Sequence, residues 1–306
     1  MTPYCLLSYQ EGTTAVAGLL VRDRLYRAES VLRRTNLDAS SVLSLLETWP
    51  ETHRILMEVV GDLRPDDGAP LDRAVLLAPI LYPRGVFCAG ANYWDHLEEM
   101  ARTQNEPPVD RSRRAQEPWF FLKTAAHSIV GDGAPVKMPR KTVKLDWEAE
   151  LGVVVGRRAW EVTAERAVDF IAGFTIVNDL SARDLMTRGD RPPAMTYDWV
   201  GQKCFDGSAP MGPWITPAPF IENCHNLDVR LWVNGALKQS SSTSQLIHNV
   251  YEQIEWLSHQ LTLLPGDVIA TGTPAGVGMP SGNYLKKGDV VKIEIEKCGE
   301  LTNRII

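Results

Sequence analysis

The run KLDWEAELGVVVG places Asp146, Glu148 and Glu150 at alternate positions. Alternate side chains of an extended strand share a face, so the three carboxylates project to one side while Trp147, Ala149 and Leu151 project to the other. On a solvated sheet edge such a row is harmless. In an enclosed site the like charges repel one another and need a cation. The apolar GVVV that continues the strand favours enclosure, and a later strand end in TIVNDLSARD adds a fourth carboxylate, Asp179. Carboxylate oxygens are hard ligands that select Mg2+, Mn2+ or Ca2+ over Zn2+ or Cu2+. With three of them, a six-coordinate Mg2+ would keep about three positions for water and a chelating substrate.

A second cluster, GVFCAGANYWDHLEEM, sets His96 and Glu99 at i and i+3 on the opening turns of a helix. A carboxylate beside an imidazole raises its basicity and fixes its tautomer, as a general base requires; the plainer alternative is a surface pair on an amphipathic helix. The following stretch, Thr103 to Pro118, is polar and rich in charge and proline, so residues 96–118 read as a lid. In VGQKCFDGSAPMGPWI, Lys203 ends a glycine-containing turn. Its ammonium would stabilise an enolate or carbanion beside a divalent cation, or else is a solvated surface charge. The glycine-rich DVIATGTPAGVG lacks the Gly-Lys-Ser/Thr ending of a phosphate loop, which argues against nucleotide binding. Its Gly272 and Thr273 offer hydrogen bonds to a small carboxylate, or merely turn a corner. The five cysteines, Cys5, Cys88, Cys204, Cys224 and Cys298, contain no CxxC pair, which argues against a disulfide framework and a zinc site. His53, His225, His248 and His259 lack metal-ligand spacing, and no GxSxG marks a serine hydrolase.

The elements that must carry these groups are mostly strands: ELGVVVG, GFTIVND, VRLWVNGALKQ with a hairpin turn at Asn234 and Gly235, DVIATGT, and VVKIEIEKCGELTNRI. One clear helix, HNVYEQIEWLSHQL, interrupts them behind a Ser/Thr-rich entry. Short antiparallel runs of this kind predict an α+β, β-rich fold, a β-roll or distorted barrel with peripheral helices. Ahead of the punctuated GDLRPDDGAP, the strands CLLSY and TAVAGLLV and two short helices split by Pro50 predict a small N-terminal α+β domain over residues 1–70, with the catalytic part over 71–306. The 306 residues carry 32 Lys and Arg against 38 Asp and Glu, a net charge of -6 that gives no general affinity for nucleic acid. No segment approaches the roughly 18 apolar residues of a membrane span, and the first residues do not read as a signal peptide, so a soluble, cytoplasmic protein is expected.

Taken in order, GANYWDHLEEM, FLKT, DWEAELGVVVG, NDLSARD, QKCFDGSAPMGPW, TGTPAGVG and LKKGDVVKIEIE resemble the fumarylacetoacetate hydrolase superfamily, in its acylpyruvase and 2-hydroxyhepta-2,4-diene-1,7-dioate isomerase branch, from about Tyr82 to the last residue. The resemblance implies a mixed β-roll catalytic domain, a homodimer, and Mg2+ or Mn2+ held by Glu148, Glu150 and Asp179, with Asp146 outside the metal shell. It implies a catalytic dyad of His96 and Glu99 on a lid, an active-site lysine at Lys203, and a pocket that includes Lys123 and Thr273. One departure stands out: after SARD, hydrolytic members commonly carry a hydrophobic residue and then a glutamine, where this chain has Leu185 and then Met186. A thioether cannot make an amide's hydrogen bonds, although Arg188, Arg191 or Tyr197 of the following segment offer substitutes. The expected function is metal-dependent hydrolysis of a carbon–carbon bond in a small 2,4-dioxo acid such as an acylpyruvate. The alternatives are a decarboxylase of an oxaloacetate-like 2-oxo acid, an isomerase or hydratase of an oxo-diene dicarboxylate, and a silent small-molecule binding protein on the same fold.

Overall fold

The computed structural model describes residues 2–112 and 117–306; residues 113–116, within the expected lid segment, lie outside the described residues. Cys5–Glu11 and Thr14–Val21 form an antiparallel hairpin around Gly12, which takes the left-handed φ of 62° that this tight turn requires. Leu6 of its first strand pairs with Ile215 of Ala209–Pro217, so the N-terminal hairpin extends the central sheet. From that junction the sheet runs through Ile171–Asn178, Ala149–Val155, Val268–Ala270 and Val86–Gly90 to the edge strand Trp119–Lys123. Every residue of Ala149–Val155 and Ile171–Asn178 is buried, as expected for central strands covered on both faces. Val268–Ala270 and Val86–Gly90 pair parallel; the other junctions along this path are antiparallel.

A second sheet contains Ala236–Ser242, Asp228–Val233, Val290–Ile295, Gly299–Ile305 and Pro135–Val136. Asp228–Val233 and Val290–Ile295 bury alternate residues, so one face packs inward. The expected turn joins the first two strands: Asn234 and Gly235 both have positive φ, 51° and 79°, the type I′ geometry whose twist matches a hairpin. The inner face, with Leu231 and Ile293, meets Val153 and Ile176 of the first sheet in one core, sealed by Val250, Ile254 and Leu257 of the helix Val250–Gln260. That helix starts at Asn249, whose side chain caps it reciprocally with Glu252; the Ser/Thr-rich stretch expected as its entry forms a separate short 3-10 turn, Thr243–Gln245.

In the N-terminal section, Ser41 caps the helix Val42–Glu47, and Pro50 lies in the first turn of Trp49–Val59, where its missing N–H has no intrahelical partner to lose. Leu45 and Leu46 pack with Leu6 and Leu19 of the hairpin and with Met211, Ile215 and Val268 of the central sheet. KLDWEAELGVVVG is not one continuous strand. Leu145–Asp146 pairs with Ser181–Ala182 as a separate small ladder, and the long strand starts only at Ala149. Among the described residues no helix is long and apolar enough to cross a membrane.

Candidate active site

Glu148, Glu150 and Asp179 are buried and bring one carboxylate oxygen each within 4.8 Å of one another. Their closeness follows from strand register. Ala149 pairs with Asn178, so Glu148 and Asp179 flank the point where the antiparallel ladder opens. Backbone groups fix that opening: Asp179 N–H donates to the Glu148 carbonyl at 2.9 Å, and Glu148 N–H donates to Asn178 Oδ1 at 3.1 Å. Gln239, from the second sheet, accepts from Ala149 N–H at 2.9 Å and locks the start of the strand. Burial disposes of the solvated-edge reading of this acidic run.

Asp146 is buried as well but faces other partners. It accepts from Gly278 N–H, from Met279 N–H at 3.1 Å and from Arg183 Nε at 2.9 Å. The break at residues 147–148 removes it from the row that strand alternation predicts, and it serves as an anchor for Arg183. Arg183 in turn reaches Glu148, a pairing across 35 positions that no local spacing announces.

Two lysines complete the charge cluster. Lys203, at the end of the helix Trp199–Lys203, places Nζ 2.7 Å from Asp179 Oδ2 and 3.1 Å from Glu148 Oε2. Burial disfavours its charge, but the two carboxylates outweigh burial and hold the ammonium protonated. Lys123 lies behind Asp179. Its Nζ donates to the carbonyls of Leu180 and Ser208 at 2.9 and 2.7 Å and sits 2.8 Å from Asp179 Oδ1, so its contacts position the carboxylate and do not line the cavity.

Glu148 and Glu150 differ in proton affinity. Burial opposes ionisation of Glu148, yet Lys203 and Arg183 more than compensate and hold its carboxyl low. Glu150 is pushed well up, first by burial and then by the charges of Asp179 and Glu148. A divalent cation relieves that crowding, and a hard, buried, three-carboxylate donor set fits Mg2+ or Mn2+.

Above the cluster lies a cavity of about 180 Å³, lined in part by His96, Glu148, Glu150, Lys203 and Thr273. It is smaller than the roughly 300–1,000 Å³ of drug-sized sites and suits a small acid. His96 enters from the helix Trp94–Thr103; burial lowers its proton affinity, which keeps the imidazole neutral. Its Nδ1 is buried without a hydrogen bond, 4.0 Å from Glu99 Oε2. Glu99 spends that oxygen on Gly276 N–H at 2.9 Å, so the expected dyad is adjacent but not hydrogen-bonded.

The glycine-rich loop after Ala270 is a row of donors to the protein's own acids. Gly272 N–H binds Glu150 at 2.9 Å, Ala275 N–H binds Asp95 at 3.3 Å, Gly276 N–H binds Glu99, and Gly278 and Met279 bind Asp146. Gly272 needs its φ of 102° to aim its amide, and that amide is taken by a metal-ligand candidate. Thr273 donates to the Ala149 carbonyl at 3.0 Å and accepts from Gln239 at 2.9 Å. Of the segment after Met186, Tyr197 lines the cavity together with Met186; Arg188 and Arg191 form exposed ion pairs with Asp190 instead. Burial pushes the Cys88 thiol well up, which leaves no thiolate nucleophile there.

The family model for the fumarylacetoacetate (FAA) hydrolase C-terminal domain matches residues 85–306. The chain is 39% identical over 239 residues to human oxaloacetate tautomerase FAHD2B, mitochondrial, covering 78% of this chain and 71% of that one. Among solved structures, 2-hydroxyhepta-2,4-diene-1,7-dioate isomerase from Mycobacterium marinum is 39% identical, with a TM-score of 0.62 over 78% of this chain and 80% of that one. Maleylpyruvate hydrolase from Sphingobium sp. SYK-6, in complex with manganese(II) and pyruvate, is 25% identical, with a TM-score of 0.75 over 100% of this chain and 99% of that one. The chain belongs to the fumarylacetoacetate hydrolase family. It is a metal-dependent enzyme of that family, with a buried Glu-Glu-Asp site for a divalent ion.

Proposed function

We propose that this enzyme catalyses proton transfer at the carbon beside the carbonyl of a small 2-oxo acid, interconverting its keto and enol forms. The observation that carries the reading is a neutral, buried His96 facing the same small cavity as the carboxylate cluster and Lys203. A divalent cation held by Glu148, Glu150 and Asp179 would chelate the carboxylate and 2-oxo oxygens and lower the cost of enolate charge. His96 removes the proton from C3 as general base, and the imidazolium returns a proton to the enolate oxygen, directly or through water, which completes the enol and regenerates the base. The Lys203 ammonium, fixed by Glu148 and Asp179, faces the oxygen on which negative charge develops and offers it a hydrogen bond. Glu99, held by Gly276, fixes the helix that carries His96. The name of the human relative describes a reaction of this type.

Hydrolysis of an acylpyruvate, the leading expectation from the sequence, needs in addition a polar group to hold the attacking water. Met186 occupies the cavity wall where the family resemblance anticipates a glutamine, and it supplies none. Hydrolysis stays as the second reading because the maleylpyruvate hydrolase matches the full length of this chain.

The test is to follow enol absorbance of 2-oxo acids and 2,4-dioxo acids with protein and Mn2+ or Mg2+, with products resolved by mass spectrometry. The expected result is faster keto–enol exchange at conserved mass, abolished by chelator and reduced about 10²–10⁴-fold in His96→Ala. Two fragments from a dioxo acid would establish hydrolysis instead, and metal-independent rates would overturn both.

A further inference from the structure

We infer that the substrate is a monoanionic 2-oxo acid whose far end is apolar and preferably aromatic, and that a second carboxylate there is selected against; this rests on the proposed 2-oxo acid chemistry. Among the described residues the cavity wall holds two cations: Arg183 is ion-paired to Asp146 and Glu148, and Lys203 is ion-paired to Glu148 and Asp179 with its remaining N–H directed to the enolate oxygen in the proposed reaction. The wall also holds Trp119, Phe121, Met186, Tyr197 and Gln202, with the Phe121 ring centroid 4.6 Å from Lys203 Nζ. A second carboxylate placed against it would lose water without gaining a counter-charge from the described residues.

The aromatic part of the wall is already assembled. Trp199 holds Trp119, Phe121 and Tyr197 at ring-centroid distances of 5.2, 5.3 and 5.3 Å. Gly90 makes room for Trp119: a Cβ there would stand 2.3 Å from the edge of its ring. Trp119 nonetheless remains 52% exposed and Tyr197 43% exposed, apolar surface at the cavity that an aromatic substrate would cover. Rings fixed before binding lose little entropy when a flat group stacks on them.

Gln202 adds a neutral amide to this wall. It is 1% exposed, and its Oε1 accepts from the Tyr197 hydroxyl at 2.7 Å. That bond fixes the amide, and its NH2 makes no hydrogen bond among the described residues. It would accept a partner such as a ring hydroxyl or a carbonyl on the substrate.

Calorimetric titration of the Mn2+-loaded protein with phenylpyruvate and with oxaloacetate tests this directly, beside tautomerisation rates for both acids. The expected result is about tenfold tighter binding of phenylpyruvate, the equivalent of one aromatic contact. Trp119→Ala should erase that preference, and Trp119→Phe should restore most of it. Oxaloacetate binding as tightly as phenylpyruvate, or a preference that survives Trp119→Ala, overturns the inference. Binding in the expected order without turnover of either acid supports the pocket assignment and instead counts against the proposed reaction.

Discussion

His96 is useful as a base because burial lowers its proton affinity below the ordinary imidazole value of about 6.5. The neutral form therefore persists as pH falls through 6.5, and the acid limb of kcat/KM should have its midpoint below that value. A midpoint above 7 in the pH–rate profile would show that a neighbouring acid, not burial, governs the imidazole. Linkage runs the same way: stability from a neutral buried His96 is complete above about pH 6.5 and is lost as pH falls towards the folded-state value. Much of this site is legible in the sequence because residue types carry chemistry: Glu148, Glu150 and Asp179 meet where acidic spacing and family resemblance place them. Asp146 was legible as an acid but not in its direction, because alternation holds only while a strand continues, and this one breaks after Asp146. Arg183 and Gln202 had no signal of their own, since their partners are decided by tertiary packing.

At the scale of elements, the helix Val250–Gln260 shows how local chemistry and core packing cooperate. Asn249 accepts from Tyr251 and Glu252 N–H at 2.9 and 3.1 Å, and Glu252 returns a bond to Asn249 N–H at 2.8 Å. Replacing Asn249 by Ala should cost about 1 kcal/mol, read as a lower urea midpoint at unchanged slope. An unchanged midpoint would mean that Ile254 and Leu257, seated in the core, fix this helix without help from its cap. Hairpins and this helix could be read in advance because their signals are local. The parallel pairing of Val268–Ala270 with Val86–Gly90 could not, for a three-residue strand carries no periodicity and finds its partner only through the assembled sheet.

At the scale of the whole molecule, the composition change near residue 70 coincides with no break in the core. Leu6, Leu19 and Leu45 share one apolar cluster with Met211, Ile215 and Val268, and Leu6 pairs with Ile215 in the same sheet. A chain of residues 71–306 alone should thus expose that cluster and aggregate or lose cooperative unfolding, as size-exclusion chromatography and thermal melts would report. A monodisperse product that melts cooperatively would instead make residues 1–70 a dispensable domain. The loop from Gly272 to Met279 ties the remaining parts together, because its amides hold Glu150 of the central sheet, Asp95 and Glu99 of the helix bearing His96, and Asp146 behind Arg183. Peptide dipoles do not titrate over any pH at which the protein is folded. The loop therefore behaves as an electret, a permanently polarised strip that keeps these four acids aligned while the ionic groups around them gain and lose protons.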